Sequence, residues 1–549
     1  MNFNAPRPSS PNRKSAAHYF FKHLWLIVAV TCVAMVALAF SPLTRLRSLA
    51  AGNENATLKN KSAGPISTSS IKTGSSGPQT GTVSSDGIWE QTGEKNLPAT
   101  QTAQATIQAK YLTLRLNKQS LAGVLATASL QKSTDARAVT VSLPLPDGSF
   151  GTFRIVESPI MEPALAARHP EVKTYSGIGV DDPTATTRFS WTPNGFEAII
   201  LSTSGTIYIV PAIEGNSIDY VCYSARDIAT ENSSLHCDTI DDETLRETLP
   251  SMLSRPDSVG TNSPAAGATL RTYRLAIATT GEFAQQFGGG TVNATFTKIA
   301  LSVSSLNAIY ERDLAISFIL VADEDKIIFT DPATDPYDNS NVGSVLLAKN
   351  QETLDARIGS ANYDIGHVFG GITVSPNYYA FSGIASIGVV CLDGFKARGA
   401  IAMGDGSAFF RPQLVGGVAH EMGHQFGAHH TFNATTNSFC MSQRSPDHAY
   451  EPGSGSTLMA FSLCASGGAT ENLQPADDNY FHAHSIEEIL NYVATTATCA
   501  SPTPSGDRTP TVSTGTEFTI PANTPFALTA TATDPDGDAL TYNWEEYDL

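Results

Sequence analysis

His420 and His424 stand four residues apart, Glu421 follows the first directly, and His430 lies six residues beyond the second. On a helix, positions i and i+4 share one face, so two imidazoles at this spacing can hold one zinc ion. Pro412 can open such a helix, and Leu414, Val415, Val418 and Ala419 can propagate it. Gly427 permits the positive φ that ends a helix and turns the chain back, which lets a third imidazole close the ligand set. By spacing that imidazole is His430, and His429 then points elsewhere as a spectator. Three neutral ligands leave zinc one position for water, whose pKa falls to about 7. Glu421, beside a ligand but free of the metal, is placed to take the water's proton and pass it to a departing amine. A bare His-Glu-x-x-His arises by accident in roughly one chain of this length in a hundred, and the added Gly and third His lower that to on the order of one in 50,000.

The elements that must position these groups are readable in outline. The chain has 549 residues, room for roughly two to four domains, with 34 Lys+Arg against 52 Asp+Glu and a net charge of −18. With that balance and no basic block after residue 50, nucleic acid is set aside as a partner. A mean hydropathy of −0.09 excludes a polytopic membrane protein. Residues 1–50 read as a signal peptide or signal anchor: the run 24–40 is uncharged and apolar and follows Arg7, Arg13, Lys14 and Lys22. At about 1.5 Å per residue it is about 26 Å long, short for a membrane span but able to anchor. The protein is therefore expected outside the cell, secreted or anchored facing outward. Export suits the cysteines: Cys32 lies in the apolar run, and Cys222, Cys237, Cys391, Cys440, Cys464 and Cys499 form an even set for three disulfides, with the pairing open.

Residues 51–108 are rich in Ser, Thr, Gly and Asn and read as a disordered linker. Residues 109–250 alternate like strands and turn at Pro146-Asp147-Gly148, predicting a β-rich domain. After a polar linker at 254–268, residues 269–500 read as α/β (α+β). Strands are expected at 273–278, 315–321, 365–369 and 387–391, and a helix at 345–358. Phe296, Ile299, Val303, Leu306 and Tyr310, at steps of 3 and 4, mark an amphipathic helix, and Ser485 with Glu488 reads as a capping box opening the last helix. Residues 510–549 alternate again and resemble the incomplete start of an immunoglobulin-like or cadherin-like β-sandwich.

His420-Glu421-x-x-His424-x-x-Gly427-x-x-His430, with Met459 of Thr457-Leu458-Met459 29 residues after the last histidine, resembles the zinc helix and Met-turn of the metzincin metalloproteases. The likeness is to the reprolysin-like (adamalysin-related) branch in its secreted bacterial form. It also draws on the stretch from Arg271 to Ala278, on Glu451-Pro452-Gly453, and on propeptide-like segments at Glu157-Ser158-Pro159 and Gly179-Val180-Asp181. It implies a twisted mixed sheet with a zinc helix, one catalytic Zn2+ on His420, His424 and His430, Glu421 as general base, and Met459 as the floor beneath the metal. It implies a zymogen acting on proteins or peptides, and a monomer is expected. The chain departs from the branch at Phe461, where a tyrosine ligand would stand in related branches, and at Thr431, where Asp is usual. The resemblance further suggests disulfides Cys391–Cys499 and Cys440–Cys464, with Cys222 pairing Cys237. The competing reading makes one N-terminal cysteine a thiolate that caps zinc, and the even count favours the disulfide. Extended substrate would add to an edge strand near 387–390, with Gly383 and Gly388 allowing close approach, the alternative being an interior strand with ordinary bulges.

Weaker candidates remain. Asp534, Asp536 and Asp538 could cage calcium, though Asp-Gly is a common hairpin turn, and the acidic loop 323–338 could do the same. His482 and His484 read as surface residues. An extracellular binding or adhesion protein retaining the protease fold is the rival function, and the intact Glu421 speaks against it.

Overall fold

The computed structural model describes residues 81–92, 111–131, 138–213, 215–227, 234–240, 267–337, 343–372, 380–404, 410–436, 438–461, 464, 470–474, 477–514 and 519–549. The apolar run 24–40, most of 51–108 and the segment 254–266 lie outside these residues.

Period-two alternation across the N-terminal part builds a nine-stranded antiparallel sheet: β1 (Trp89–Gln91), β2 (Leu112–Leu116), β3 (Val139–Pro144), β4 (Phe150–Glu157), β5 (Lys173–Gly179), β6 (Thr186–Thr192), β7 (Gly195–Ser202), β8 (Gly205–Pro211) and β9 (Asp219–Ser224). Its order is β1-β2-β9-β8-β7-β6-β5-β4-β3, so most neighbours are joined by hairpins. One face closes on Trp89, Phe189, Phe196 and Tyr220, with the indole edge-on to Phe196 and Tyr220 at 5.3 Å. This corrects the linker expected over 51–108, because residues 81–92 belong to the sheet. Trp89 is the reason: burying a Trp removes about 200 Å² from water, about 5 kcal/mol, enough to order a short strand within a polar stretch.

The second sheet is mixed. It contains β10 (Ser234–Ile240), β11 (Thr269–Thr279), β12 (Ile316–Leu320), β13 (Ile365–Ile372), β14 (Ala380–Ser386) and β15 (Gly399–Gly404) in the order β10-β14-β15-β13-β11-β12, and β16 (Ser501–Pro504) pairs with β11. β14 runs antiparallel to β15, while β10 runs parallel to β14 along its outer edge. Helix α1 (Val292–Leu314) is capped by the Thr291 side chain. It buries the expected face of Phe296, Ile299, Val303, Leu306 and Tyr310 completely. Helix α2 (Gly343–Arg357) covers the other side of the sheet through Leu346, Leu347 and Leu354. Tyr310 donates a 2.8 Å hydrogen bond to the Ala419 carbonyl, tying α1 to helix α3 (Phe410–Gln425).

Two expectations are corrected here. Residues 387–391 are not a strand; they turn beneath the end of α3, where the Gly388 and Val389 N–H groups donate to His424 O and Gln425 O at 2.9 Å. Their apolar run is buried by the helix end, which periodicity alone does not distinguish from a strand. The strand before the turn is β14, and β15 follows it. The last helix, α4 (Ala483–Thr495), starts earlier than expected, with His482 as its N-cap in place of Ser485.

The two sheets share one core. Ile199, Leu201, Tyr208 and Val210 of the first cluster with Phe296 and Val303 of α1 and Leu414 and Val415 of α3. Buried Arg188 pairs with Glu311, Arg168 and His169 both bind Asp325 at 2.7 Å, and residues 160–162 extend the edge of β12. In the C-terminal stretch, β17 (Thr511–Ser513) pairs antiparallel with β18 (Thr531–Thr533), leaving Phe526, Leu528 and Trp544 exposed.

Glu324 gives one prediction for stability. Its carboxyl is fully buried, Oε1 accepts from the Ile277 N–H at 3.0 Å, and burial raises its pKa well above the ordinary carboxylate value. Folding therefore takes up a proton, so the contribution is present below about pH 4.3 and is lost as pH rises toward the folded-state pKa. Glu324→Gln is expected to gain stability relative to wild type between pH 5 and 8 in urea unfolding. An identical pH slope in both proteins would contradict this.

Candidate active site

Helix α3 places His420 and His424 on one face, and the turn at Gly427 (φ +95°) returns the chain so that His430 meets them. The three Nε2 atoms lie 3.1, 3.1 and 3.2 Å from one another. Each Nδ1 faces a backbone carbonyl: Leu458 O at 2.5 Å for His420, Ala428 O at 2.7 Å for His424, and Gln443 O at 2.7 Å for His430. A carbonyl only accepts, so each Nδ1 carries the proton and each Nε2 presents a lone pair to the others. Burial pushes His420 down to about 4 and His430 down to about 3 and holds His424 well below the usual histidine value, the facing imidazoles adding to the shift of the last two. Three neutral, converging nitrogens with carbonyl-fixed tautomers are the donor set a zinc ion requires.

Glu421 is wholly buried beside this triad, against Gly383 of β14. A Cβ on Gly383 would stand 1.9 Å from Glu421 Oε1, so this glycine makes room for the carboxylate. In register with Gly383 on β10 is Cys237, whose Sγ lies 3.6 Å from His424 Nε2 and completes a buried group with His420, His424 and His430.

Residues 269–493 match the family described as Metallo-peptidase family M12B Reprolysin-like. These residues are a reprolysin-like metallopeptidase domain. The chain is also similar to a solved structure, metalloproteinase-II from Bacteroides fragilis, at 12% identity over 70% of this chain and 96% of that chain, with a TM-score of 0.37. No curated protein matches.

Two disulfides form, Cys440–Cys464 within these residues and Cys391–Cys499, which ties them to the segment that follows. The second closes a sequence separation of 108 residues, worth about 4–5 kcal/mol in the chain-entropy account. The third expected pairing is corrected: no disulfide joins Cys222 and Cys237. Cys222 is buried in the N-terminal sheet, where its Sγ meets Pro144 O at 3.3 Å and burial raises its pKa, whereas Cys237 sits among the imidazoles. Met459 packs beneath the zinc helix: a Cβ on Gly423 would come within 2.6 Å of its Sδ. Phe461 lies parallel to the His420 ring at 5.8 Å and adds no polar atom to the donor set.

His429 does not join the triad, but it is more than a spectator. Its N–H and Nδ1 bind Glu488 on α4 at 3.0 and 2.7 Å, and its ring stacks on His448 at 4.0 Å. Burial alone would raise the Glu488 carboxyl, but hydrogen bonds from His429 and His448 outweigh it and hold the group well below its usual range. Glu488 thus fastens the zinc loop to α4 instead of forming the expected capping box. His482 is buried rather than on the surface, and His484 is only partly exposed, its Nε2 lying 2.8 Å from His448 Nδ1.

Of the acidic candidates, Asp536 and Asp538 stand with Asp507 in an exposed acidic group. Asp536 binds the Arg508 N–H and Nε at 2.7 and 2.9 Å, and Asp534 Oδ1 accepts from the N–H groups of Asp536 and Asp538. In the loop after β12, Asp325 holds Arg168 and His169, and Asp335 accepts from the Gly281 N–H at 2.7 Å. The substrate edge expected near 387–390 is corrected as well: that segment is a turn, and the edge beside the site is β14, covered by β10.

Gly383→Ala is expected to displace Glu421 and lower kcat about 100-fold with zinc retained, because a shift of about 1 Å costs that much when a reacting group is misaligned. Peptide turnover and zinc content of the variant check this. An unchanged kcat would show that the carboxylate does not depend on that space.

Proposed function

We propose that the protein is a secreted zinc endopeptidase made as a latent precursor. His420, His424 and His430 hold one zinc ion through Nε2, and Met459 floors the site. When bound, zinc supplies a Lewis acid for the scissile carbonyl and makes the attacking water more acidic. Glu421 accepts the proton of that water and delivers it to the departing amine nitrogen, with Gly383 keeping the carboxylate aimed. The Leu458, Ala428 and Gln443 carbonyls hold the imidazoles in the tautomer that binds metal.

Residues 109–250 act as the prodomain. Through β10 they lie where an extended protein or peptide substrate would add a strand to β14, and Cys237 caps the ion as its fourth ligand. Activation follows a cut in 254–268, which has Arg255 near its start and Arg271 just beyond its end. The enzyme works outside the cell, free or held by the run 24–40, and residues 510–549 form a β-rich accessory segment.

The observation that carries this reading is the convergence of three Nε2 atoms within 3.2 Å, each ring fixed by a carbonyl. The test is casein cleavage by the processed protein. Cleavage should vanish with a chelator and return with added zinc, whereas chelator-resistant cleavage, or stoichiometric zinc with no cleavage of several denatured substrates, would count against it.

A further inference from the structure

Glu451 lies outside the zinc motif, between His430 and Met459 in sequence, and is 5% exposed. Its carboxylate joins the two segments that support the triad. Oε1 accepts the Thr431 hydroxyl at 2.6 Å and the Thr457 hydroxyl, and Oε2 accepts the N–H groups of Ser456 and Thr457 at 2.7 and 3.1 Å. The backbone closes the same joint: Glu451 N–H donates to Thr431 O at 2.7 Å, and Thr431 N–H donates to Met459 O at 3.1 Å. Thr431 directly follows His430, and Thr457 directly precedes Leu458, whose carbonyl fixes the His420 ring.

We propose that Glu451 is a positioning residue for the metal, a single buried carboxylate that sets the placement of His430 and the tautomer and angle of His420 together. The proposal rests on the zinc reading above. The physical basis is that four donors converge on one carboxylate. Hydrogen bonds to a carboxylate are stronger and shorter than neutral ones, so the joint is stiff where a neutral side chain would leave it loose. Glutamine in the same place keeps the volume but offers one acceptor oxygen, and turns an NH2 either toward the Ser456 and Thr457 N–H groups, which only donate, or toward the two hydroxyls, which must then rotate to accept and give up their bonds to the oxygen. His430 and the Leu458 carbonyl then lose their common reference.

The experiment measures zinc affinity of the full chain by competition with a chromogenic chelator, beside urea unfolding of the metal-free protein. Glu451→Gln is expected to weaken zinc binding about 10- to 100-fold. Leu354→Ala, a core truncation on α2 across the sheet, should lower the urea midpoint while leaving zinc affinity within about twofold, which sets the scale for destabilisation alone. A Glu451→Gln affinity equal to wild type, or reduced no more than by Leu354→Ala, overturns the proposal. Should Glu451→Gln fail to fold, Thr431→Val decides: it removes one donor, and a several-fold weaker affinity supports the proposal while an unchanged one overturns it. A wild-type chain that binds no zinc overturns the zinc reading itself, whereas tight wild-type binding with an indifferent Glu451→Gln overturns only the role of Glu451.

Discussion

Glu421→Gln is expected to keep one zinc per chain and lose about 100- to 10,000-fold of kcat, the range that a positioned acid–base group contributes. Glutamine fills the same space against Gly383, so the packing beside the triad stays intact. What is lost is the capacity to take up and return a proton. The metal stays because the three imidazoles and their carbonyl partners are untouched. Turnover of a quenched peptide by the processed enzyme, with zinc measured on the same sample, checks the result. A variant with near wild-type kcat would remove Glu421 from the chemistry, and one that lost its zinc would show the carboxylate to be part of the metal's support.

The second large effect concerns latency. Cys237→Ala in the unprocessed full chain is expected to produce peptide cleavage with no cut in 254–268, at a rate roughly tenfold or more above the intact precursor, since each 1.4 kcal/mol taken from the hold of β10 raises the open fraction about tenfold. The β10 backbone still pairs with β14 over seven residues, so activity should stay below that of the processed enzyme. Cys222→Ala is the control. Its thiol lies in the N-terminal sheet against Pro144 O, so its loss should leave the precursor silent. Equal activation by both substitutions would point to a Cys222–Cys237 disulfide as the latch in place of a thiolate on the metal.

The meeting of the three imidazoles was legible because its geometry is local. A four-residue spacing on a helix and a glycine turn bring three imidazoles together within eleven residues, and no distant contact need be known. The helix face of Phe296, Ile299, Val303, Leu306 and Tyr310 was legible for the same reason. Cys237 was not, because what gives it meaning is the pairing of β10 with β14 and an imidazole far along the chain. Counting cysteines favoured a disulfide with Cys222, yet Cys222 faces the interior of a different sheet. The apolar run at 387–391 looked like a strand because burial against a helix end and burial in a sheet select the same residue types. Trp89 ordered a segment whose average composition predicted disorder, and Glu488 passed for a helix cap because its partner, His429, is close only once the zinc loop has folded.

The most direct test of the account is zinc K-edge X-ray absorption on the intact precursor and on the processed enzyme. The precursor should show three nitrogen scatterers at about 2.0 Å and one sulfur at about 2.3 Å, with the sulfur absent in Cys237→Ala and replaced by oxygen after processing. An intact precursor whose zinc has only nitrogen and oxygen neighbours would contradict the cap, and one in which His420→Ala or His424→Ala leaves the spectrum unchanged would contradict the site itself.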